Sequence, residues 1–307
     1  MTKPAGSKYI MTLKRALETA EANRFAIGSF SPRYTPMIQA VLQAGQQASS
    51  PLIVQISHKE LVRYGITPDE FAEEFYRQMT DCAISIPAVL HLDHTKELDT
   101  IKEAIAAGFT SVMIDASEKP FADNVAISRE AAEYAHAQGV SVEAELGMIG
   151  TTDFVETDSD EELFTDPQEA AEFVRLTGVD ALAVSCGTAH GVYNVRRPRI
   201  DYDRLSAIRL LTPVHLVLHG GSGVPADMMR KAFELPEGGV SKVNIATDLE
   251  LSLLAALGRE ERMTNEECKA LDADRLRTGR QAVTNTVVGK MNDFLLSSGQ
   301  APVFAID

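Results

Sequence analysis

Apolar residues fall along this chain in two alternating patterns. Eight short runs are rich in Val, Ile and Leu: FAIGSF (25–30), PLIVQIS (51–57), PAVLHLD (87–93), TSVMIDA (110–116), VSVEAELG (140–147), ALAVSCG (181–187), VHLVLHG (214–220) and SKVNIAT (241–247). None shows sustained polar alternation, as expected of strands buried on both faces of a parallel sheet. Between them lie segments of helical period, among them LKRALETAEA, TPMIQAVLQAGQQA, TPDEFAEEFYRQM, KELDTIKEAIAAG and DPQEAAEFVRLTG. Thr67-Pro68-Asp69-Glu70 and Asp166-Pro167-Gln168-Glu169 predict helix starts with proline at the first helical position. Eight strands alternating with helices over about 250 residues predict an α/β fold, a (β/α)₈ TIM barrel. A doubly wound open sheet is the rival, but FAIGSFSPRY lacks the glycine-rich dinucleotide loop after the first strand. Residues 264–298 read as one long amphipathic helix, an extra C-terminal element packed beside the barrel or on a neighbouring subunit. No linker or second core interrupts the pattern, so residues 1–307 are expected to form one barrel domain.

Polar residues break the apolar runs at their C-terminal ends. Ser57 ends the second run, Asp93 and His94 the third, and Asp115 the fourth; Glu143 and Glu145 lie in the fifth. His190 follows the sixth, His219 ends the seventh, and Asn244, Thr247 and Asp248 close the eighth. Side by side in a parallel barrel, these strands bring His94, His190 and His219 to one rim. Three imidazoles beside a carboxylate, Asp93, suit a catalytic Zn²⁺ with an open coordination position. Glu145 and Asp115 are either alternate ligands, partners of the ligands, or members of ion pairs lining the barrel. Glu143 carries the weaker claim. A lone strand histidine is more often a satisfied core residue, and His91 is read so; His58, His136 and His215 are read as structural or surface groups.

Composition adjusts this picture only slightly. The net charge of −15 argues against a nucleic-acid or anionic-membrane surface, yet leaves room for a phosphorylated substrate in a locally positive pocket. The three cysteines, Cys82, Cys186 and Cys268, have no metal-binding spacing and suit reduced thiols. The start MTKPAGSKYI has no apolar signal region, and the cytoplasm is the expected location.

Two glycine-rich turns, Gly187-Thr188-Ala189-His190-Gly191 and His219-Gly220-Gly221-Ser222-Gly223, bring backbone N–H groups to the same rim. The second turn and Asn244–Asp248 follow strands seven and eight, where barrels commonly hold phosphate. Residues 151–166 hold seven acidic and no basic residues. The segment is either a solvated acidic loop or a lid carrying a catalytic acid.

The motifs HLDH, MIDAS, VEAELG, GTAHG, LHGGSG and NIATD, in this order and spacing, resemble the class II, metal-dependent fructose- and tagatose-bisphosphate aldolases from about residue 20 to 250. The resemblance implies a zinc-dependent aldehyde-lyase of carbohydrate metabolism, glycolysis included. Such an enzyme reversibly cleaves a phosphorylated ketose to dihydroxyacetone phosphate and an aldehyde through an enediolate whose charge Zn²⁺ takes up. It implies Asp93 as acid/base on the substrate hydroxyl, and His94, His190 and His219 on the zinc. Asp115 and Glu145 would serve the metal's alternative resting position. Gly191, Gly220, Ser222 and Thr247 would cradle the phosphate, where a monovalent cation, Na⁺ or K⁺, is also held. Asn244 would contact the ketose end and Ser57 would face substrate. A homodimer or homotetramer is implied.

The chain also departs from that family. An asparagine-containing turn usually follows strand one, where this chain has Phe30-Ser31-Pro32-Arg33-Tyr34, and a usual lysine is Asn194. The lid usually reads like GGxED; here it is Gly150-Thr151-Thr152-Asp153, which makes Asp153 the candidate lid acid and Glu156 the next. Arg33 is either a loop arginine or a planar fork for a carboxylate or phosphate on the aldehyde half. The rival activities are another metal-dependent barrel enzyme, a sugar-phosphate isomerase or hydrolase, and a non-catalytic barrel. The first strand lacks the H-x-H pair that hydrolases of this shape use, and no candidate ligand is lost.

Overall fold

All eight apolar runs form strands. They are β1 Ile27–Phe30, β2 Leu52–Ser57, β3 Ala88–Thr95, β4 Ser111–Ile114, β5 Ser141–Leu146, β6 Ala181–Val184, β7 His215–Leu218 and β8 Val240–Ile245. The structure, a computed structural model, describes residues 7–149, 163–191, 193 and 197–306. Each strand pairs in parallel with the next, and β8 returns to β1 in the register Ile27↔Lys242 to Phe30↔Ile245, which closes the barrel. Helices separate the strands and cover the sheet. Helix Pro68–Asp81 starts as expected, with Thr67 accepting from the Glu70 N–H, and helix Pro167–Thr177 starts with Asp166 accepting from Gln168 and Glu169.

Side-chain alternation divides the sheet into an inner and an outer face. The outer set, with Phe30, Val54, Leu90, Val112 and Leu182, joins the helices in the larger apolar core. The inner set starts at the lower end with Ile27, Ile53, Val89, Met113, Ala181 and Val217. Helix Leu13–Ala22 closes that end by burying Leu13, Ala16, Leu17 and Ala20, a stripe at helical spacing, against β3, β5, β7 and β8. Water is thereby excluded from below, and the polar groups higher in the barrel face only the upper rim. A register shift between Leu216 and Val217 against β8 brings the even-numbered Lys242 and Asn244 inward beside odd-numbered neighbours.

The C-terminal region differs from the single helix expected over 264–298. It forms a short helix Asn265–Lys269, a second helix Ala273–Gly289 and a π-helical turn Lys290–Phe294. The break has a local cause: the Asp272 carboxylate accepts from the Asp274 and Arg275 N–H groups and starts a new helix. That second helix lies against helices Ile38–Ala48 and Thr247–Ala256, beside the barrel.

Candidate metal centre and active site

The upper rim gathers the strand-end residues around one backbone irregularity. Strict alternation would send Asp93 and His94 to opposite faces. The pairing of β3 with β4 slips between Leu92 and Thr95, and His94 takes a left-handed backbone with φ 34. This is uncommon for a residue with a Cβ, and its cost is tolerated where a site needs it. Both side chains thus face inward. His94 Nδ1 lies 2.9 Å from Asp115 Oδ2, while Asp93 is held on both oxygens, by Gln55 Nε2 at 3.1 Å and Asn244 Nδ2 at 3.0 Å.

His190 and His219 complete the cluster. Their ring centroids lie 5.1 and 4.5 Å from that of His94, and one nitrogen from each of the three rings falls within 4.8 Å of the others. Glu143 Oε1 accepts from His219 Nε2 at 2.9 Å, which leaves Nδ1 facing the cluster, 3.4 Å from Glu145 Oε2. His94 Nε2, His219 Nδ1 and Glu145 Oε2 are buried and have no hydrogen-bond partner. Buried polar atoms left open are costly. Here they converge, and both histidines rest their other nitrogen on a carboxylate, as metal-binding histidines do. This donor set fits a divalent cation. Asp115 and Glu145 form a second group with His94 in which ligand atoms also lie within 4.8 Å.

The electrostatics point the same way. Burial disfavours charge on His94, but Asp93, Asp115 and Glu145 outweigh it and push its pKa up to about 10. Burial and His94 pull His190 down to about 4, and the same two causes hold His219 well below its ordinary value. Burial, reinforced by Asp115 and Asp93, pushes Glu145 up to about 8. Burial also works against ionised Asp93 and Asp115. His94, Lys242 and His219 keep Asp93 low, and His94 with Ser117 holds Asp115 well below the carboxylate range. One positive charge thus sits among carboxylates where three rings meet, which is the place a cation would take.

The other expected residues line the same cavity of about 820 Å³: Ser57, Gly191, Gly220, Ser222, Asn244, Thr247 and Arg33. Two of them arrive already engaged. Ser57 caps helix His58–Tyr64 through a capping box with Glu60, its hydroxyl 3.1 Å from Glu60 Oε2. Arg33 Nε lies 3.1 Å from Glu60 Oε1, and its Nη1 pairs with Glu250, which also binds Arg262 Nε at 3.0 Å. Arg33 is therefore no loop-surface arginine; it is buried, with two of its three nitrogens on carboxylates. Asp153 and Glu156 lie outside the described residues.

Sequence reasoning assigned no role to Gln55, Lys242 or Glu60. Gln55 and Lys242 stand two residues before Ser57 and Asn244, so the strand period alone assigns them to the site's face. His91, read as a satisfied core residue, is satisfied only in part: Nδ1 meets Ser111 Oγ at 2.8 Å, while the buried Nε2 has no hydrogen-bond partner. His215 and His136 fit their structural reading, contacting Glu21 and Asp180 at 2.9 and 2.8 Å.

Comparison with known proteins identifies relatives over nearly the whole chain. Residues 11–300 match the family described as "Fructose-bisphosphate aldolase class-II". A fructose-bisphosphate aldolase of Geobacillus stearothermophilus is 37% identical over 293 residues, 95% of this chain and 99% of that protein. Among solved structures, the YdjI aldolase of Escherichia coli K12 superposes with TM-score 0.78 at 27% identity, over 95% of this chain and 99% of the other. A putative fructose-1,6-bisphosphate aldolase of Coccidioides immitis does so with TM-score 0.75 at 27% identity, over 94% and 99%.

Proposed function

This chain belongs to the class-II fructose-bisphosphate aldolase family, and from that premise we propose that it is a Zn²⁺-dependent ketose-phosphate aldolase whose metal rests on His94, His190 and His219. The observation that carries the proposal is the convergence of His94 Nε2 and His219 Nδ1, buried and without hydrogen-bond partners, beside His190. A metal held there would supply Lewis acidity toward the ketone of the substrate. No helix among the described residues is long and apolar enough to cross a membrane. From the family resemblance we further propose a cytoplasmic homodimer or homotetramer.

The protein's own groups carry the remaining steps. Asp93, kept low in pKa and aimed by Gln55 and Asn244, takes the proton from the hydroxyl on the carbon that becomes the aldehyde. Gly191, Gly220, Ser222 and Thr247 offer N–H and hydroxyl groups to the phosphate of the ketose half, with a monovalent cation, Na⁺ or K⁺, on backbone oxygens nearby. Glu145 and Asp115, whose ligand atoms gather with that of His94, would hold the metal in an alternative resting position. Ser57 faces the substrate, Arg33 serves its aldehyde end, and Asp153 gives a proton to the carbon freed by cleavage, which yields dihydroxyacetone phosphate. The test is a panel of phosphorylated ketoses, fructose and tagatose 1,6-bisphosphate among them, assayed with and without a chelator. Release of dihydroxyacetone phosphate, lost on chelation and restored by Zn²⁺ or Co²⁺, is expected. Full activity in metal-free protein refutes the assignment.

A further inference from the structure

Beneath the histidines lies a lysine that the proposed reaction does not use. Lys242 is fully buried on β8, one of the largest side chains sealed inside the protein. Its Nζ lies 2.8 Å from Glu143 Oε2 and 2.8 Å from Asn244 Oδ1. Each partner leads onward to a different part of the site. Glu143 Oε1 meets His219 Nε2 at 2.9 Å, and Asn244 Nδ2 meets Asp93 Oδ1 at 3.0 Å.

An ammonium only donates, so Asn244 Oδ1, which receives its hydrogen bond, must be an acceptor; the contact with Glu143 Oε2 is an ion pair, and that oxygen has no hydrogen-bond partner. For Asn244 this settles which way the amide lies: Oδ1 turns to Lys242, and the NH₂ turns to Asp93. The flipped amide would set its carbonyl oxygen against the Asp93 carboxylate. For Glu143 the ion pair draws Oε2 toward the lysine, while Oε1 accepts from His219 Nε2–H. The Nδ1 lone pair of His219 is then the one that faces His94 and Glu145.

A second relation makes the arrangement selective. His91, Asp93 and Glu143 form a second buried group whose ligand atoms lie within 4.8 Å of one another. Lys242 Nζ already sits against that group on Glu143, so it carries its own covalently attached cation.

We propose that Lys242 is the positioning residue of this site, one buried cation that holds, by an ion pair with Glu143 and a hydrogen bond to Asn244, the partners of the metal ligand His219 and of the acid/base Asp93. The proposal rests on the reading of His219 as a ligand and Asp93 as the acid/base. It concerns a residue that touches neither metal nor substrate.

Lys242→Met tests it. Zinc binding, measured by chelator competition, should weaken about 10–100-fold, the usual effect of disturbing a ligand's partner. At saturating zinc, kcat should fall by about 100-fold for a misaligned acid/base, with KM changed by no more than about twofold. Long-range ¹H–¹⁵N NMR of the metal-free protein should show His219 as the Nε2–H tautomer in the wild type and as a mixture of the Nε2–H and Nδ1–H tautomers in the variant. A single buried carboxylate left without its lysine destabilises the fold, so the double variant Lys242→Met/Glu143→Gln provides a neutral pair of similar volume. It should fold and still show weak zinc binding and low kcat. Recovery of wild-type zinc affinity and kcat in the double variant would mean that Lys242 only balances charge, and the proposal falls. It falls equally if Lys242→Met keeps both values. If the wild type itself takes up no zinc, the metal reading fails, whereas the His219 proton position still decides the role of Lys242.

Discussion

The contact between the two glycine-rich turns yields a prediction with a workable magnitude. Gly220 has φ +68, and a Cβ built on it would lie 2.3 Å from Ala189 O and 2.6 Å from Ala189 C. Gly220→Ala therefore meets two separate penalties. The left-handed backbone costs an L-residue about 1–2 kcal/mol. The clash is with backbone, not with the end of a flexible side chain, so the turn ending in His190 has to move. Gly65 isolates the first penalty, since its φ is +66 and nothing lies within 4 Å of its Cβ position. Gly65→Ala should lower Tm by about 2–4 °C per kcal/mol lost, the scale for a large domain. Gly220→Ala should lower it clearly further and reduce aldol cleavage by about 100-fold, because Ala189 adjoins a proposed zinc ligand and displacements near 1 Å at reacting groups have that effect. Scanning calorimetry of both variants and a coupled assay for dihydroxyacetone phosphate are sufficient. Equal Tm losses with full activity in Gly220→Ala would show that the two turns do not constrain one another.

Three further outcomes are expected. Asp93→Ala should retain its metal, measured by atomic absorption, while kcat falls by about 10²–10⁴; loss of the metal would make Asp93 a ligand instead. Asp153→Asn should slow deuterium exchange into dihydroxyacetone phosphate, and unchanged exchange would transfer the role to Glu156. Arg33→Ala should raise KM for the natural ketose and spare exchange on dihydroxyacetone phosphate alone; identical kinetics across a ketose panel would exclude Arg33 from the distal end.

The barrel was legible because its strands are buried on both faces, and that requirement leaves dense apolar runs in the sequence. The site was legible for a related reason: a histidine or carboxylate at the end of such a run has few uses, and His94, His190, His219, Asp93 and Glu145 recur at the same end of different strands. Pairings across long sequence separations were not legible. Arg33 and Arg262 meet Glu250 of helix Thr247–Ala256 from two loops whose course no local pattern specifies. The break before Ala273 was missed because apolar spacing continues across it, and only the capping carboxylate of Asp272 marks the new start. Asp93 and His94 were taken together at the rim without a reason why neighbours on a strand should share a face, and that reason is the slipped register of β3.

That slip explains how one barrel meets two opposed demands. Asp93 has to stay ionised in a dry interior, which needs donors from adjoining strands, and Gln55 on β2 and Asn244 on β8 provide them. His94 has to hold an open nitrogen toward its fellow histidines, which needs a carboxylate behind it, and Asp115 beyond β4 provides that. A regular strand could orient only one of the two, since adjacent side chains point to opposite faces. The irregularity falls at the single step where both are needed. The left-handed backbone of His94 is held in place by the pairings on either side, β2 with β3 up to Ser57↔Asp93 and β3 with β4 at Thr95↔Ile114. Local strain survives where surrounding structure determines the conformation more strongly than the residue's own preference, and a closed barrel, in which every strand has two neighbours, meets that condition.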